Sequence, residues 1–290
     1  MPEPRFLDLA GGRFQRAGGR HRFTARRGRV VSVTRPAPVM VRVRVTGDEF
    51  ADFASTGPTD HMRVFFPDPR TGEYNAPRAS GAGEDGVERP DGVTYPRDFT
   101  PLRVLRTADG VAVEIDFYVH ASPGPASVWA QRAARGDELV VVGPRDSRNA
   151  PQDADRLLLI VDETALPAAA RFTREVPATT AVDLVAVTAD DGGWMAEYFA
   201  DAADRTDVSV HLVAGPAQPD TLVAALETSG AVDAGTFVFA AGEASALLPL
   251  RRHLRRDLRL PREQVAISGY WRRGVTAFDH HTPIDPDDPD

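Results

Sequence analysis

Leu157-Leu158-Leu159-Ile160-Val161 is an unbroken apolar run, set between the polar segment Asp146 to Asp155 and the turn Asp162-Glu163-Thr164. A strand that is apolar at every position offers no face to water, so it needs cover on both sides and marks the middle of a parallel sheet. The residues beyond it keep to that plan. A helical stretch near Leu166 to Arg174 precedes a strand Val182 to Val187, and a helix around Met195 to Ala202 precedes a strand Val208 to Val213. A helix Leu222 to Glu227 and a strand Thr236 to Ala240, feeding a helix Ala244 to Asp257, complete the series. The alternation predicts a doubly wound α/β domain of nucleotide-binding type over residues 149–275.

Residues 1–148 have another rhythm. Short β-like segments recur at Arg29 to Val33, Val39 to Val45, Met62 to Phe66, Leu102 to Arg106, Val113 to Val119 and Leu139 to Val142, punctuated by Gly and Pro. Such spacing predicts an antiparallel β-barrel. Val39 to Val45 alternates apolar with mostly basic residues, as a half-buried strand does. Pro67 to Pro96 is rich in Gly, Pro, Glu and Asp with almost nothing to bury, and a long mobile loop is expected there. Eight Arg and no acid lie between Arg13 and Arg35, whereas Val275 to Asp290 holds five Asp and no base. The first reads as an anion-binding rim or, with more weight, as solvated strand edges. The second reads as an acidic disordered tail over residues 276–290.

Composition narrows the chemistry. With 290 residues and no Cys, the chain has length for two domains and cannot form disulfides, thiolate zinc sites or cysteine-ligated iron–sulfur clusters. Its 34 basic residues are all Arg, which removes Schiff-base lysines and the Walker-type P-loop. A net charge of −8 argues against a general nucleic-acid binder. No run approaches the roughly 18 apolar residues of a membrane helix, so a soluble, cytoplasmic protein without membrane insertion is expected, and a monomer. There is no G-x-G-x-x-G, G-x-S-x-G or H-E-x-x-H, and the seven His lack metal-site spacing, so no metal site is expected.

Two segments carry possible chemistry. In Tyr95-Pro96-Arg97-Asp98-Phe99-Thr100-Pro101 an Arg, a ring and a hydroxyl follow one another along an extended stretch. Such a set can clamp a diphosphate, stack on a flat heterocycle and bond its edge, although exposed Arg, core Phe and turn Thr explain the same residues. In Val119-His120-Ala121-Ser122-Pro123-Gly124-Pro125-Ala126-Ser127-Val128-Trp129-Ala130 a strand ends and a helix opens after a Gly-Pro turn. Free backbone N–H groups at a helix start suit phosphate.

Together with Gly136-Asp137, Gly143-Pro144, Asp162-Glu163-Thr164-Ala165-Leu166-Pro167-Ala168, Ala241-Gly242-Glu243-Ala244-Ser245 and Ser268-Gly269-Tyr270-Trp271-Arg272-Arg273-Gly274, these segments make the chain resemble the siderophore-interacting proteins. That family comprises flavin-dependent ferric-siderophore reductases related to the ferredoxin-reductase superfamily. The resemblance spans about His21 to Gly274 and implies an antiparallel, flavin-binding β-barrel followed by the α/β nucleotide-binding domain. It assigns Arg97 to the FAD pyrophosphate, Phe99 to the isoalloxazine face and Thr100 to its edge. His120 and the turn Gly124, Pro125, Ala126 and Ser127 are placed by the FAD phosphates. Asp162, Glu163, Thr164 and Ala165, with Ala241, Gly242 and Glu243, fall to the nicotinamide nucleotide at the carboxyl ends of the strands. Arg63, Arg272 and Arg273 are the expected attractors of an anionic ferric siderophore. The family usually has Tyr at Phe99, often Arg at Leu102, commonly Gly at Val161 and often a basic residue at Leu248.

The activity so implied passes hydride from NADH or NADPH to FAD and single electrons onward to chelated ferric iron, releasing Fe(II). Asp190 and Asp191 after the Val182 to Val187 strand favour NADH, since a carboxylate accepts from a ribose hydroxyl and repels a 2′-phosphate, unless Arg205 or Arg251 folds back. Two alternatives stay open: a flavin- or siderophore-binding protein without efficient nicotinamide turnover, and a flavin reductase serving another acceptor.

Overall fold

The computed structural model describes residues 12–108, 110–121, 123–215 and 219–288. The chain divides into two compact units, one formed by Gly18–Arg148 and the other by the residues from Asn149 onward with the segment ending at Ala17.

The first unit contains β1 (Gly18–Arg20), β2 (Ala25–Ala37), β3 (Met40–Thr46), β4 (Met62–Phe66), β5 (Arg78–Ala79), β6 (Val87–Glu88), β7 (Tyr95–Phe99), β8 (Pro101–Thr107), β9 (Gly110–Tyr118), α1 (Pro125–Arg132), β10 (Glu138–Val142) and β11 (Asp146–Arg148). Seven strands form an antiparallel sheet in the order β7-β4-β10-β2-β3-β9-β8. β7 and β8 therefore lie at opposite edges of the ladder, yet only Thr100 separates them in the chain. Neighbouring Cα atoms are about 3.8 Å apart, so the sheet must curl until its edges meet. The seam is closed by the chain itself.

Side-chain alternation fills the interior. Val41, Val43 and Val45 of β3, Met62, Val64 and Phe66 of β4, and Val113, Ile115 and Phe117 of β9 turn inward into one core. On the other face of β3 each basic residue meets a carboxylate across the ladder. Arg42 grips Asp116 with two bonds of 2.7 and 2.9 Å, and Arg44 reaches Glu114 at 2.7 Å. The basic run of the N-terminal region is spent the same way, with Arg22 and Arg26 on Asp52, and Arg27 and Arg29 on Glu138. The exposed pairs of Arg27 and Arg29 are of the kind worth at most about 1 kcal/mol each, whereas Arg26 is buried.

The Pro67 to Pro96 stretch departs from expectation. Instead of a free loop it forms the β5–β6 hairpin, and Tyr74, Ala76 and Val87 pack on Ala25, Phe65, Val140 and Val142 of the barrel wall. The Tyr74 hydroxyl accepts from Val140 N at 2.6 Å and donates to the Phe65 carbonyl at 3.3 Å, and Gly86 N donates to the Phe23 carbonyl at 2.7 Å. Three apolar side chains over an apolar patch hold the segment, a match that average composition conceals.

The second unit contains β12 (Arg156–Asp162), α2 (Leu166–Glu175), β13 (Ala181–Thr188), α3 (Met195–Ala203), β14 (Val208–Ala214), α4 (Pro219–Thr228), β15 (Thr236–Glu243), α5 (Ala244–Arg252) and β16 (Val265–Trp271). Its five strands are parallel, in the order β14-β13-β12-β15-β16. The sheet is covered on both faces. Phe172 of α2 packs on Phe237 and Phe239 on one side, at ring separations of 5.8 and 4.6 Å. Leu158, Ile160, Val238 and Ala240 meet Leu222 and Leu226 of α4 and Leu247 and Leu250 of α5 on the other. The helix expected to reach Asp257 is regular only to Arg252, beyond which residues 253–257 form a wider π turn. Pro249 within α5 lacks the N–H a regular ladder uses. No helix among the described residues is long and apolar enough to cross a membrane.

The acidic end also departs from expectation as far as it is described, to residue 288. Ile284 joins the apolar cluster against α5, and Asp285, 1% exposed, receives Arg252 at 2.9 and 3.0 Å and Arg256 at 2.9 Å. Arg251 bonds the Asp288 carbonyl at 2.6 Å. The tail is unable to fold alone, and the basic helix end supplies both its counter-charge and its apolar seat.

The bond from Arg252 holds the Asp285 carboxyl down at about 2, below its ordinary 3.8. A depressed folded-state value stabilises the docked form above the ordinary value, and that stabilisation is lost as pH falls through about 2. Amide protection factors of residues 283–288, taken relative to the intrinsic exchange rate at each pH, should therefore be high at neutral pH and fall in that acid window, while Asp285→Asn shows low protection factors throughout.

Candidate functional site

On β7 the two-residue period sends Tyr95, Arg97 and Phe99 to the face shared with Met62, Val64 and Phe66 of β4, while Asp98 lies opposite Arg63 on the other face. Asp98 takes both bonds of the Arg63 guanidinium, each 2.8 Å. Arg97 is left without a carboxylate. It is half-buried, its Nη1 donates to the Pro96 carbonyl at 2.7 Å, and among the described residues no acid pairs with it. Burial draws its pKa down, opposed by Asp98 next in the chain.

Phe99 packs on Phe117 at 4.6 Å and on Phe66 at 6.0 Å, and Trp129 of α1 touches the same two rings at 5.6 Å each. β7 and α1 thus converge on one aromatic pair. The start of α1 has no side-chain cap, Pro125 contributes no N–H, and the first closed turn runs from Val128 N to the Gly124 carbonyl at 2.9 Å. That leaves the Ala126 and Ser127 N–H groups unpaired within the helix, with open space where a Gly124 side chain would stand. The Ser127 hydroxyl, however, is buried and donates to the Tyr118 carbonyl at 3.3 Å, away from that opening. His120 is exposed with its ring 6.3 Å from that of Tyr118, and Thr100 is buried in the barrel seam. A half-buried guanidinium without counter-charge, a half-buried ring on its face and an uncapped helix start fit the diphosphate and flat ring of a dinucleotide such as FAD.

In the parallel sheet β12 and β15 are neighbours whose following helices, α2 and α5, cover opposite faces. This is the switch point at which open α/β sheets bind ligands. A narrow crevice lies there, lined by Val161 and Asp162, Gly242 and Glu243, and Ala246 and Leu247. The carboxylates around it are all engaged. Asp162 Oδ1 accepts from Thr164 N at 2.9 Å and Thr164 Oγ1 at 2.5 Å, and Oδ2 accepts from Glu243 N at 3.0 Å and Trp271 Nε1 at 2.8 Å. Glu163 accepts from Ala189 N at 2.7 Å, and Glu243 from Ala246 N at 2.7 Å and Arg273 N at 3.0 Å. Gly242, at φ +148°, has Asp162 Oδ2 pressed against the place a Cβ would take, so no other residue fits. Burial pushes the Asp162 carboxyl up to about 6, with Glu163 adding to it and the bonds from Thr164 and Trp271 opposing. Ala165 and Ala241 are buried beside this network.

The three arginines expected to attract a chelate differ. Arg63 is matched by Asp98, Arg272 lies 5.1 Å over the Phe278 ring, and the Arg273 side chain is exposed. Leu248 packs on the apolar cluster of α4 and α5. At the end of β13, Asp190 accepts from Thr188 Oγ1 at 2.7 Å, Gly192 N at 2.8 Å and Trp194 Nε1 at 3.2 Å, which holds its pKa low. Arg205 is bound to the Thr180 carbonyl and Asp207, at the amino ends of β13 and β14, and Arg251 to Asp288. Trp271 was legible only as part of a segment; its partner Asp162 lies 109 residues away, and nothing local signals the bond.

Residues 29–148 match the siderophore-interacting FAD-binding domain and residues 154–274 the siderophore-interacting protein domain. A siderophore utilization protein from T. fusca superposes with a TM-score of 0.78 and 36% identity, over 92% of this chain and 100% of that one. The ferric vibriobactin reductase ViuB of Vibrio cholerae is 29% identical over 254 residues, 83% of this chain and 87% of its own. An NADPH-dependent ferric-chelate reductase of Escherichia coli is 36% identical over 143 residues, 49% of this chain and 53% of its own. With both of its units matched in order and the T. fusca structure aligned along nearly its whole length, the chain belongs to the siderophore-interacting protein family.

Proposed function

We propose that this protein is an NAD(P)H-dependent, FAD-containing reductase that takes ferric siderophores as substrate and releases Fe(II). The observation that carries the reading is Arg97, a half-buried guanidinium with no carboxylate, on the same face of β7 as Phe99. FAD, when bound, supplies the change from two-electron to one-electron transfer. Arg97 and the N–H groups of Ala126 and Ser127 would hold its diphosphate, and Phe99 its ring system. The barrel core behind Phe99 fixes that ring, since Phe66 and Phe117 leave it little room to turn. The nicotinamide nucleotide would enter the crevice between β12 and β15, where the small residues Ala241 and Gly242 allow close approach. Arg273 is best placed of the three arginines to act on an anionic chelate, because its charge is not matched by a carboxylate bond as that of Arg63 is. For the nucleotide, the tethering of Arg205 and Arg251 elsewhere supports NADH, whereas the name of the E. coli relative points to NADPH.

The test is anaerobic. Protein loaded with FAD should bleach on addition of NADH or NADPH and recover its colour when a ferric siderophore and a ferrous trap are added, with the trap taking up the iron. Bleaching without recovery of colour would leave a flavoprotein with another acceptor. Relative rates at equal NADH and NADPH concentration decide the nucleotide; faster bleaching with NADH is expected, and a clear NADPH advantage would mean that an Arg other than Arg205 and Arg251 serves the 2′-phosphate.

Arg97→Ala should weaken FAD binding by about 10- to 100-fold, the range of a lost charge-assisted bond, and Phe99→Ala should weaken it less. Ser127→Ala should leave FAD affinity unchanged, since its hydroxyl faces inward. Arg273→Gln should raise the KM for an anionic ferric siderophore more than Arg63→Gln, and flatten its dependence on salt. Equal effects of the two would show that pairing with Asp98 does not silence Arg63.

A further inference from the structure

Resting on that reading, we propose that Asp162 is the positioning residue of the nucleotide crevice: its carboxylate holds the ends of β12, β15 and β16 in one arrangement and is not itself a ligand of the dinucleotide. A carboxylate has about four lone-pair sites, and here each oxygen already takes two donors. Nothing is left to accept from a ribose hydroxyl. The donors come from three segments: the turn after β12, the Glu243 N–H 81 residues on, and the Trp271 indole 109 residues on. Gly242 is part of the device, because any side chain there would strike the carboxylate. Asp162 and Glu243 both line the crevice, so the spacing of its walls depends on this one group. Strand ends fixed in advance spare the dinucleotide the ordering cost at binding.

The arrangement needs the ionised form. A proton on either oxygen would face a donor, and of the donors only the Thr164 hydroxyl can turn and accept; the Glu243 N–H and the Trp271 indole cannot. The charged groups on the segments packed around it are Glu163 in its own turn, Glu243 at the end of β15, and Arg272 and Arg273 after Trp271. With the carboxyl raised to about 6, the clasp is complete above that pH and lost as pH falls through it. Stability runs the other way. A folded-state value raised above 3.8 favours the fold at low pH, and that contribution is lost as pH rises through about 6.

The test uses FAD-loaded protein labelled with ¹⁵N in the indole of its three tryptophans. The Trp271 signal, identified by its loss in Trp271→Phe, should titrate with a midpoint at about 6 in the wild type and stay flat in Asp162→Asn. NAD⁺, whose pyrophosphate does not titrate in this range, is the calorimetric probe. Its Kd should rise about tenfold between about pH 7.5 and about pH 5 in the wild type, and should be raised already at about pH 7.5 and insensitive to pH in Asp162→Asn. A Trp271 signal that does not move, or equal NAD⁺ affinity in the two proteins, overturns the proposal. If Asp162→Asn fails to fold, the wild-type titration and Kd profile decide alone. A protein that shows this pH dependence yet reduces no ferric chelate would keep Asp162 in its role and remove the reductase reading.

Discussion

A charge taken out of water needs a partner, and this constraint sorts the ionisable side chains of the chain into those that build it and those left for chemistry. Asp116 is met by Arg42, Glu114 by Arg44 and Arg103, and Asp285 by Arg252 and Arg256. Asp162, Glu163 and Glu243, buried at the carboxyl ends of the parallel strands, are met by backbone and side-chain donors. Arg97 has no such partner. It is half-buried, and the acid beside it in sequence is taken by Arg63. An anion brought by a ligand would supply the missing counter-charge.

The two ends of the chemistry are built by different means. In the barrel unit, covalent geometry does the placing: Thr100 joins strands from opposite edges of the sheet, so the residues just before it lie at the seam. Phe99 there shares Phe66 and Phe117 with the first helix, which fixes a ring and a helix start near each other without any polar contact between them. In the parallel unit the placing is polar, through one carboxylate shared by three strand ends. Apolar packing tolerates small shifts, whereas a saturated hydrogen-bond acceptor fixes its donors within a few tenths of an ångström. That difference fits the proposal of a resident ring on the barrel unit and an exchanging nucleotide on the parallel unit.

Much of this was legible from the sequence because it is local. Leu157 to Val161 announces a strand covered on both faces, and Met62 to Phe66 is a strand at the bounds its pattern suggests. The spacing of Arg97 and Phe99 shows that they share a face of an extended segment. What was hidden is relational. The stretch Pro67 to Pro96 and the acidic end look unfoldable by composition, yet Tyr74, Val87 and Ile284 dock on surfaces made by distant residues. Likewise nothing local signals the bonds that Asp162 accepts from Glu243 N and Trp271 Nε1, or the turn of the Ser127 hydroxyl toward the Tyr118 carbonyl.

The proposed division of labour puts the flavin on the barrel and the nicotinamide nucleotide at the switch point of the parallel sheet. Hydrogen–deuterium exchange on the whole protein, with and without FAD and then with FAD plus NAD⁺, tests it most directly. FAD should protect β7 and the start of α1, and NAD⁺ should add protection at the turns following β12 and β15. Protection by FAD at the carboxyl ends of the parallel strands, with none in β7 or α1, would contradict it.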